Sequence, residues 1–290
     1  MCGIVGIFTK TEALRPTLGQ HLSDMLITMS DRGPDSAGIA VYGSDTPGMT
    51  KITVQADDPA RLAALDLPGA EIRTISTHAV ISMPDGKAAE TLAKLRATPG
   101  LRIMGSGARI EIFKEVGLPA DVSRHFALPA MSGTHGIGHT RMATESAVTT
   151  DGAHPFSTGP DQCLVHNGSL SNHNSVRRRL ARDGVTVSSE NDSEVAAAYL
   201  THAMSSGRNL GQALESALKD LDGFFTFVVG TRDGFGVLRD PIACKPAVMA
   251  ETADYVAFGS EYRALAPLPG IEHARIWEPE PAKVYFWEAA

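Results

Sequence analysis

Met1-Cys2-Gly3-Ile4-Val5-Gly6-Ile7 opens the chain, and the interpretation of the whole sequence follows from this stretch. Because Met1 precedes a small residue, we expect methionine aminopeptidase to remove it and to leave Cys2 with a free α-amine. A thiol is nucleophilic only as the thiolate, and an α-amine, which titrates at about 7.7–8.0, can accept its proton. Cys2 would then be both nucleophile and general base. The alternative is a small apolar cysteine that begins a buried strand.

Five further motifs follow in order along the chain. They are residues 31–38 (DRGPDSAG), 136–144 (GIGHTRMAT), 154–156 (HPF), 166–170 (HNGSL) and 191–194 (NDSE). Together with the terminal cysteine, this series resembles the class II glutamine amidotransferases, which are N-terminal-nucleophile hydrolases. The resemblance extends over most of the chain except roughly residues 50–131.

The hydrophobic pattern predicts groups of strands and helices rather than a repeat. Residues 2–8 form an apolar run typical of a central strand, and residues 17–29 carry apolar side chains at helical spacing. Short strands and helical pieces alternate over residues 50–131, which predicts a small α/β insertion. The clustering indicates a layered α+β domain. The resemblance implies a four-layer α-β-β-α sandwich over residues 2–290, interrupted by that insertion.

Stabilisation of an oxyanion requires two preorganised hydrogen-bond donors. Asn167 and Gly168 follow an apolar strand predicted over residues 162–166, and the resemblance implies that the Asn167 side chain and the Gly168 backbone N–H supply these donors. The alternative is that Asn-Gly is only a turn dipeptide. With Cys2 and the other motifs present, we favour the catalytic interpretation.

The two ends of a bound α-amino acid require opposite charges. Arg141 matches the family position that holds the α-carboxylate, a task to which arginine is better suited than lysine; an isolated loop arginine is otherwise a solvated charge. Asp192 matches the position that holds the α-ammonium. Asn191 and Glu194 also fit a capping box, so Asp192 could instead serve the helix dipole.

Three more residues are expected beside substrate. His154 precedes Pro155 and is interpreted as shaping a loop at the glutamine pocket rather than as a proton-transfer group. Arg32 belongs to a turn that packs near Cys2 and can close over glutamine, although such a turn can be held by its own aspartate hydrogen bonds. Thr144, at the end of the second motif, is included as a substrate-binding residue by resemblance.

Composition excludes several other classes of protein. The 290 residues are 43% hydrophobic and 20% charged, with a net charge of −7, which argues against a nucleic-acid surface. No apolar run reaches the ~20 residues of a membrane span. Cys163 and Cys244 are expected to be packed thiols, and the three cysteines form no metal motif. We expect no metal and no cofactor in this chain, and a cytoplasmic location because Cys2 must stay reduced.

The resemblance also implies partners. Residues 142–150 and 164–174 are most similar to the stand-alone amidotransferase subunits of glutamate-synthase-like systems, the N-methylglutamate synthase small subunit among them. Partner subunits would carry FMN and iron–sulfur centres and receive the ammonia. Met142 replaces a tryptophan found in several relatives, so details of an ammonia channel do not carry over. Two alternatives stay open: an N-terminal cysteine hydrolase of another γ-glutamyl amide, and a non-catalytic subunit that senses glutamine.

Overall fold

The computed structural model describes residues 2–143 and 147–288. Their strands are β1 Gly3–Thr9, β2 Ser36–Tyr42, β3 Met49–Ala56, β4 Glu71–Ile75, β5 His78–Pro84, β6 Leu101–Gly107, β7 Ile110–Val116, β8 His135–Arg141, β9 Phe156–Gly159, β10 Gln162–Leu170, β11 Gly223–Gly230, β12 Gly234–Arg239, β13 Val248–Glu251, β14 Tyr255–Gly259, β15 Arg275–Trp277 and β16 Val284–Glu288. Their α-helices are α1 Leu18–Ile27, α2 Ala60–Ala63, α3 Asp85–Ala97, α4 Pro119–His125, α5 His173–Arg182, α6 Asp192–Ser205 and α7 Leu210–Asp220.

Two antiparallel sheets form the centre of the molecule. The larger has the strand order β15-β13-β14-β1-β8-β2-β7, and the smaller has the order β16-β12-β11-β10-β9. One apolar core lies between the sheets, a second lies between the larger sheet and α1 with α4, and a third lies between the smaller sheet and α5–α7. These three cores separate four layers, and the predicted α-β-β-α sandwich is confirmed.

The opening strand β1 is central because both of its faces are apolar. All seven of its residues are buried, as expected for a strand packed on both sides. Gly6 allows the two sheets to approach closely, since a Cβ there would lie 2.6 Å from the Phe235 ring of the facing sheet. This packing fixes the start of the chain, and with it Cys2, at one end of the sandwich.

A separate four-stranded sheet with the order β4-β5-β3-β6 has its own core with α2 and α3. This unit spans residues 49–107, which is less than the insertion expected over residues 50–131. The difference arises because β7 pairs with β2 in the main sheet and α4 packs against α1, where Ser23 and Ser123 hydroxyls lie 2.7 Å apart. Helix α4 and strands β9, β15 and β16 were not predicted from the sequence.

Candidate functional site

A cavity of about 290 Å³ opens where several chain segments meet at one end of the sandwich. Its walls come from the start of β1, the end of β8, the middle of β10, the N-terminus of α6 and the loop after β12. Six of the predicted site residues line it: Cys2, Arg141, His154, Asn167, Gly168 and Asp192. Residues separated by up to 190 positions in sequence are therefore brought together around one small space.

Cys2 is half-buried, and its backbone is held from two sides. The Cys2 carbonyl accepts a hydrogen bond from Arg32 Nε at 3.0 Å and another from Asn167 Nδ2 at 3.1 Å. Its Sγ lies 4.0 Å from the carbonyl oxygen of Met142. The Cys2 thiol thus lies in the cavity wall, while the Cys2 backbone carbonyl is held by Arg32 and Asn167.

Arg32 packs near Cys2, as expected, and holds its backbone. Arg32 is absent from the described residues that line the cavity. Its side chain is 8% exposed, and its guanidinium bridges the Cys2 carbonyl and the Glu261 carboxylate, the latter at 2.5 Å. This hydrogen bond to Arg32 is the main reason that the pKa of Glu261 is lowered. Arg32 therefore anchors the nucleophile's backbone, and a direct contact with glutamine stays a prediction.

The turn that contains Arg32 also shapes the neighbouring loop. A Cβ at Gly33 would lie 2.4 Å from the backbone nitrogen of Arg141, so the two segments are in close contact. Asp35 Oδ2 accepts the backbone N–H of Ala143 at 2.8 Å. The contacts of Asp35 extend beyond its own turn and fix the backbone after Arg141.

Asn167 and Gly168 lie inside β10, which continues to Leu170 instead of ending before them. The continuation is explained by pairing with β11, in which Asn167 lies opposite Thr226 and Gly168 opposite Phe225. Gly168 has φ +150°, and a Cβ there would lie 2.0 Å from the Phe224 carbonyl oxygen. A turn dipeptide is excluded, and the position requires glycine.

Arg141 is the last residue of β8, between β1 and β2. Its side chain is 8% exposed, and Nη1 donates to the Ala147 carbonyl at 3.2 Å. A Cβ at Gly152 would lie 3.2 Å from the same nitrogen. The guanidinium is therefore held in the cavity wall by its surroundings and is not a freely solvated charge.

Asp192 is the first residue of α6, where a carboxylate is favoured by the helix dipole. Its Oδ2 accepts the backbone N–H of Leu170 at 2.8 Å. The expected capping box is absent at this helix: Asn191 accepts the N–H of Ser193, while Glu194 accepts the N–H groups of Ser188 and Ser189. The cap is thus supplied by Asn191, and Asp192 lines the cavity.

Two buried histidines, His154 and His166, form part of the cavity wall. His154 precedes a cis peptide bond to Pro155, and its ring stacks on His139 with centroids 4.2 Å apart. Burial lowers the pKa of His154 well below its usual value and that of His166 to about 4. Both rings are therefore neutral near pH 7, which agrees with a positioning role for His154.

Lys245 also lines the cavity, although it was not among the site residues predicted from the sequence. The loop that holds Lys245 is shaped by the last residue of β12 and by the residue after it. Arg239 Nη2 donates to the Lys245 carbonyl at 2.7 Å, and Asp240 Oδ1 accepts the N–H of Ile242 at 2.8 Å. Among the described lining residues, Arg141 and Lys245 are the cations and Asp192 is the carboxylate. The dipeptides Asp240-Pro241 and Lys245-Pro246 are the features of the sequence that mark this loop.

The remaining expectations concern thiols, metals and Thr144. Cys163 is buried and its pKa is raised to about 12 by burial, as expected for a packed thiol, whereas Cys244 is exposed, contrary to expectation, because its loop lies on the surface. Thr144 lies outside the described residues.

Within residues 2–143 and 147–288, no group of acidic, cysteine and histidine side chains is arranged to hold a metal ion. The helices in these ranges include none with the length and apolar character needed to cross a bilayer.

Comparison with known proteins identifies the family. The sequence profile described as a glutamine amidotransferase domain matches residues 139–267. The glutamine amidotransferase-like protein GlxB of Rhizobium meliloti (strain 1021) is 64% identical, with 99% of this chain and 98% of that protein covered. A putative glutamine amidotransferase of Methanothermobacter thermautotrophicus (strain Delta H) is 31% identical, with 98% of this chain and 99% of that protein covered.

A solved structure shares the fold. Glutamine phosphoribosylpyrophosphate amidotransferase from B. subtilis, complexed with ADP and GMP, superposes with a TM-score of 0.64 at 20% identity over 99% of this chain. The chain spans only 47% of that structure's length, so the likeness concerns the fold alone. From the two full-length relatives and this fold, the chain belongs to the class II glutamine amidotransferases, enzymes built on the N-terminal-nucleophile hydrolase sandwich.

Proposed function

We propose that the chain hydrolyses L-glutamine to glutamate and ammonia through a thioester on Cys2. The observation that carries the proposal is the convergence of Cys2, Asn167, Arg141 and Asp192 on one cavity of about 290 Å³. A cavity near the lower end of the range for small-molecule sites suits an amino acid. Its lining contains both charges that the zwitterion requires, with Arg141 for the carboxylate and Asp192 for the ammonium.

In this proposal, Cys2 becomes the N-terminal residue once Met1 is removed. Its amine takes the thiol proton, and the sulfur attacks the side-chain carbonyl carbon of glutamine. The resulting oxyanion is stabilised by Asn167 Nδ2 and the Gly168 N–H. The C–N bond then breaks, the ammonium on Cys2 returns its proton to the leaving nitrogen, and ammonia departs. Water hydrolyses the thioester to glutamate and restores the thiol.

The position of Asn167 supports its part in this scheme. Its Nδ2 is already 3.1 Å from the Cys2 carbonyl, so the amide stands beside the nucleophile before substrate arrives. Loss of one oxyanion donor typically reduces kcat by roughly 100–1000-fold. The scheme therefore requires Asn167→Ala to be severely impaired although it removes no proton-transfer group.

We also propose that the ammonia passes to a partner synthase of the glutamate-synthase-like or N-methylglutamate synthase type. Support comes from the resemblance of residues 142–150 and 164–174 to the amidotransferase subunits of those systems. FMN and iron–sulfur centres would reside on the partner subunits. A thiol nucleophile also favours a reducing compartment such as the cytoplasm.

The test is ammonia release from glutamine by the wild type, Cys2→Ala and Cys244→Ser, the last being a control at an exposed thiol. We expect Cys2→Ala to fall to the uncatalysed background and Cys244→Ser to match the wild type. Appreciable hydrolysis by Cys2→Ala would contradict the mechanism. For the acceptor, amide-¹⁵N glutamine should label the product of candidate synthase subunits when they are mixed with the wild type, and label confined to free ammonia would contradict that pairing.

A further inference from the structure

Ser193 lies at the centre of a buried polar cluster in the wall of the cavity. Its side chain is 2% exposed, and its Oγ is 2.9 Å from His154 Nε2, 3.0 Å from His166 Nδ1 and 3.3 Å from Asp192 Oδ1. These partners come from the loop before β9, from β10 and from the first turn of α6. One hydroxyl therefore joins three chain segments that each contribute to the cavity wall.

This hydroxyl is not required to cap the helix. The cap of α6 is Asn191, whose side chain accepts the backbone N–H of Ser193 at 2.8 Å. The Ser193 hydroxyl takes part in none of the backbone hydrogen bonds that begin the helix among the described residues. Its contacts are with side chains that face the cavity.

The protons in the cluster have one consistent arrangement. Burial lowers the pKa of both histidines, so each neutral ring carries a single N–H. A hydroxyl has one proton to donate and two lone pairs to accept with. If Ser193 donates to the Asp192 carboxylate, it accepts one N–H from His154 Nε2 and one from His166 Nδ1. Donation to either ring instead would leave the hydroxyl lone pairs facing the carboxylate.

We propose that Ser193 is a positioning residue that holds the Asp192 carboxylate in place for the substrate's α-ammonium group. The proposal rests on the proposed function, because it assumes an α-amino acid in the cavity. Asp192 Oδ2 is fixed by the Leu170 N–H at 2.8 Å, and the Ser193 hydroxyl fixes Oδ1. The two rings in turn fix the hydroxyl and are themselves held in the Nε2–H form at His154 and the Nδ1–H form at His166.

The kinetic test compares two substrates, glutamine and glutaramate, which is glutamine without its α-amino group. For Ser193→Ala, we expect the KM for glutamine to rise about tenfold with kcat nearly unchanged, which corresponds to about 1.4 kcal/mol of lost binding. The kcat/KM for glutaramate should stay within about twofold of the wild-type value, since no ammonium reaches Asp192. Ser193→Thr keeps the hydroxyl and should restore the preference for glutamine.

Ser23→Ala is the matched control, because Ser23 is as buried as Ser193 but does not line the described cavity. Its hydroxyl contacts Ser123 in the outer helical layer. It should leave the ratio of the two kcat/KM values unchanged. Equal losses for both substrates in Ser193→Ala, or no loss for glutamine, would overturn the proposal. If Ser193→Ala does not fold, Ser193→Cys, which is similar in size and a poor donor, provides the same comparison.

Nitrogen NMR of the histidine rings gives a readout that does not depend on turnover. We expect the Nδ1–H tautomer at His166 and the Nε2–H tautomer at His154 in the wild type, with a change at one or both rings in Ser193→Ala. Opposite tautomers in the wild type would overturn the arrangement. A wild type that hydrolyses neither substrate would contradict the proposed function, while the NMR result would still decide the hydrogen-bond cluster separately.

Discussion

Arg32→Met should slow the chemical step without weakening glutamine binding. The Arg32 Nε donates to the Cys2 carbonyl at 3.0 Å, while the residue lies outside the described cavity lining. A hydrogen bond from a charged group contributes roughly 1.5–3 kcal/mol, which corresponds to about 10–150-fold if it is lost entirely from the reacting geometry. A misplacement of about 1 Å can by itself cost ~100-fold. We therefore expect kcat to fall about 10–150-fold and KM to change little.

The assay is steady-state ammonia release over a range of glutamine concentrations, with thermal unfolding to verify the fold. Arg263→Ala is the control, because Arg263 Nε contacts Glu261 at 2.7 Å and Nη1 contacts Asp31, yet Arg263 does not touch Cys2. It should keep kcat within about threefold of the wild type, as expected for a half-exposed ion pair. A large rise in KM for Arg32→Met at unchanged kcat would refute the reasoning and support a direct substrate-binding role.

Three further predictions concern the surroundings of the site. Gly168→Ala should destabilise the fold by more than about 1 kcal/mol in urea unfolding and abolish turnover, because the new Cβ would lie 2.0 Å from the Phe224 carbonyl oxygen. Gly184→Ala is the control: this residue also has a positive φ but lies in open space, so the variant should retain activity. Burial lowers the pKa of Lys114 from 10.5 to about 8, so the unfolded chain binds the Lys114 proton more tightly than the folded chain. The stability of the wild type relative to Lys114→Met should therefore rise by up to about 3 kcal/mol between pH 8 and 10.5. A stability difference that does not change with pH would contradict this. The lowered pKa of His166 means that stability should fall as pH drops from about 6.5 towards 4, and His166→Asn should reduce that slope in the same unfolding assay.

Much of the fold could be predicted because the signals are local. The apolar run of β1 and the helical spacing in α1 are visible in the sequence, and both elements appear where they were expected. The end of the insertion could not be predicted, because β7 resembles any other short strand until its pairing with β2 is known. The three-residue strand β15 is too short for a periodic pattern to reveal it.

Part of the candidate site could likewise be predicted from local motifs, and part could not. Cys2, Asn167 and Asp192 stand in motifs with recognisable chemistry, and the structure brings them to one cavity. The bond from Arg32 to the Cys2 carbonyl could not be predicted, because it joins two separate segments and leaves no trace in local spacing. The same reason hid the role of Ser193, because two of its three partners, His154 and His166, come from other segments of the chain.

The central claim is that Cys2, with its own amine free, attacks a bound glutamine. The most direct measurement is intact mass and peptide mapping before and after exposure to a glutamine-mimicking diazoketone, with excess glutamine as competitor. We predict loss of Met1 and a single adduct on Cys2, formed more slowly when glutamine is present. Retained Met1 with no adduct, or an adduct on the exposed thiol of Cys244 instead, would contradict the claim.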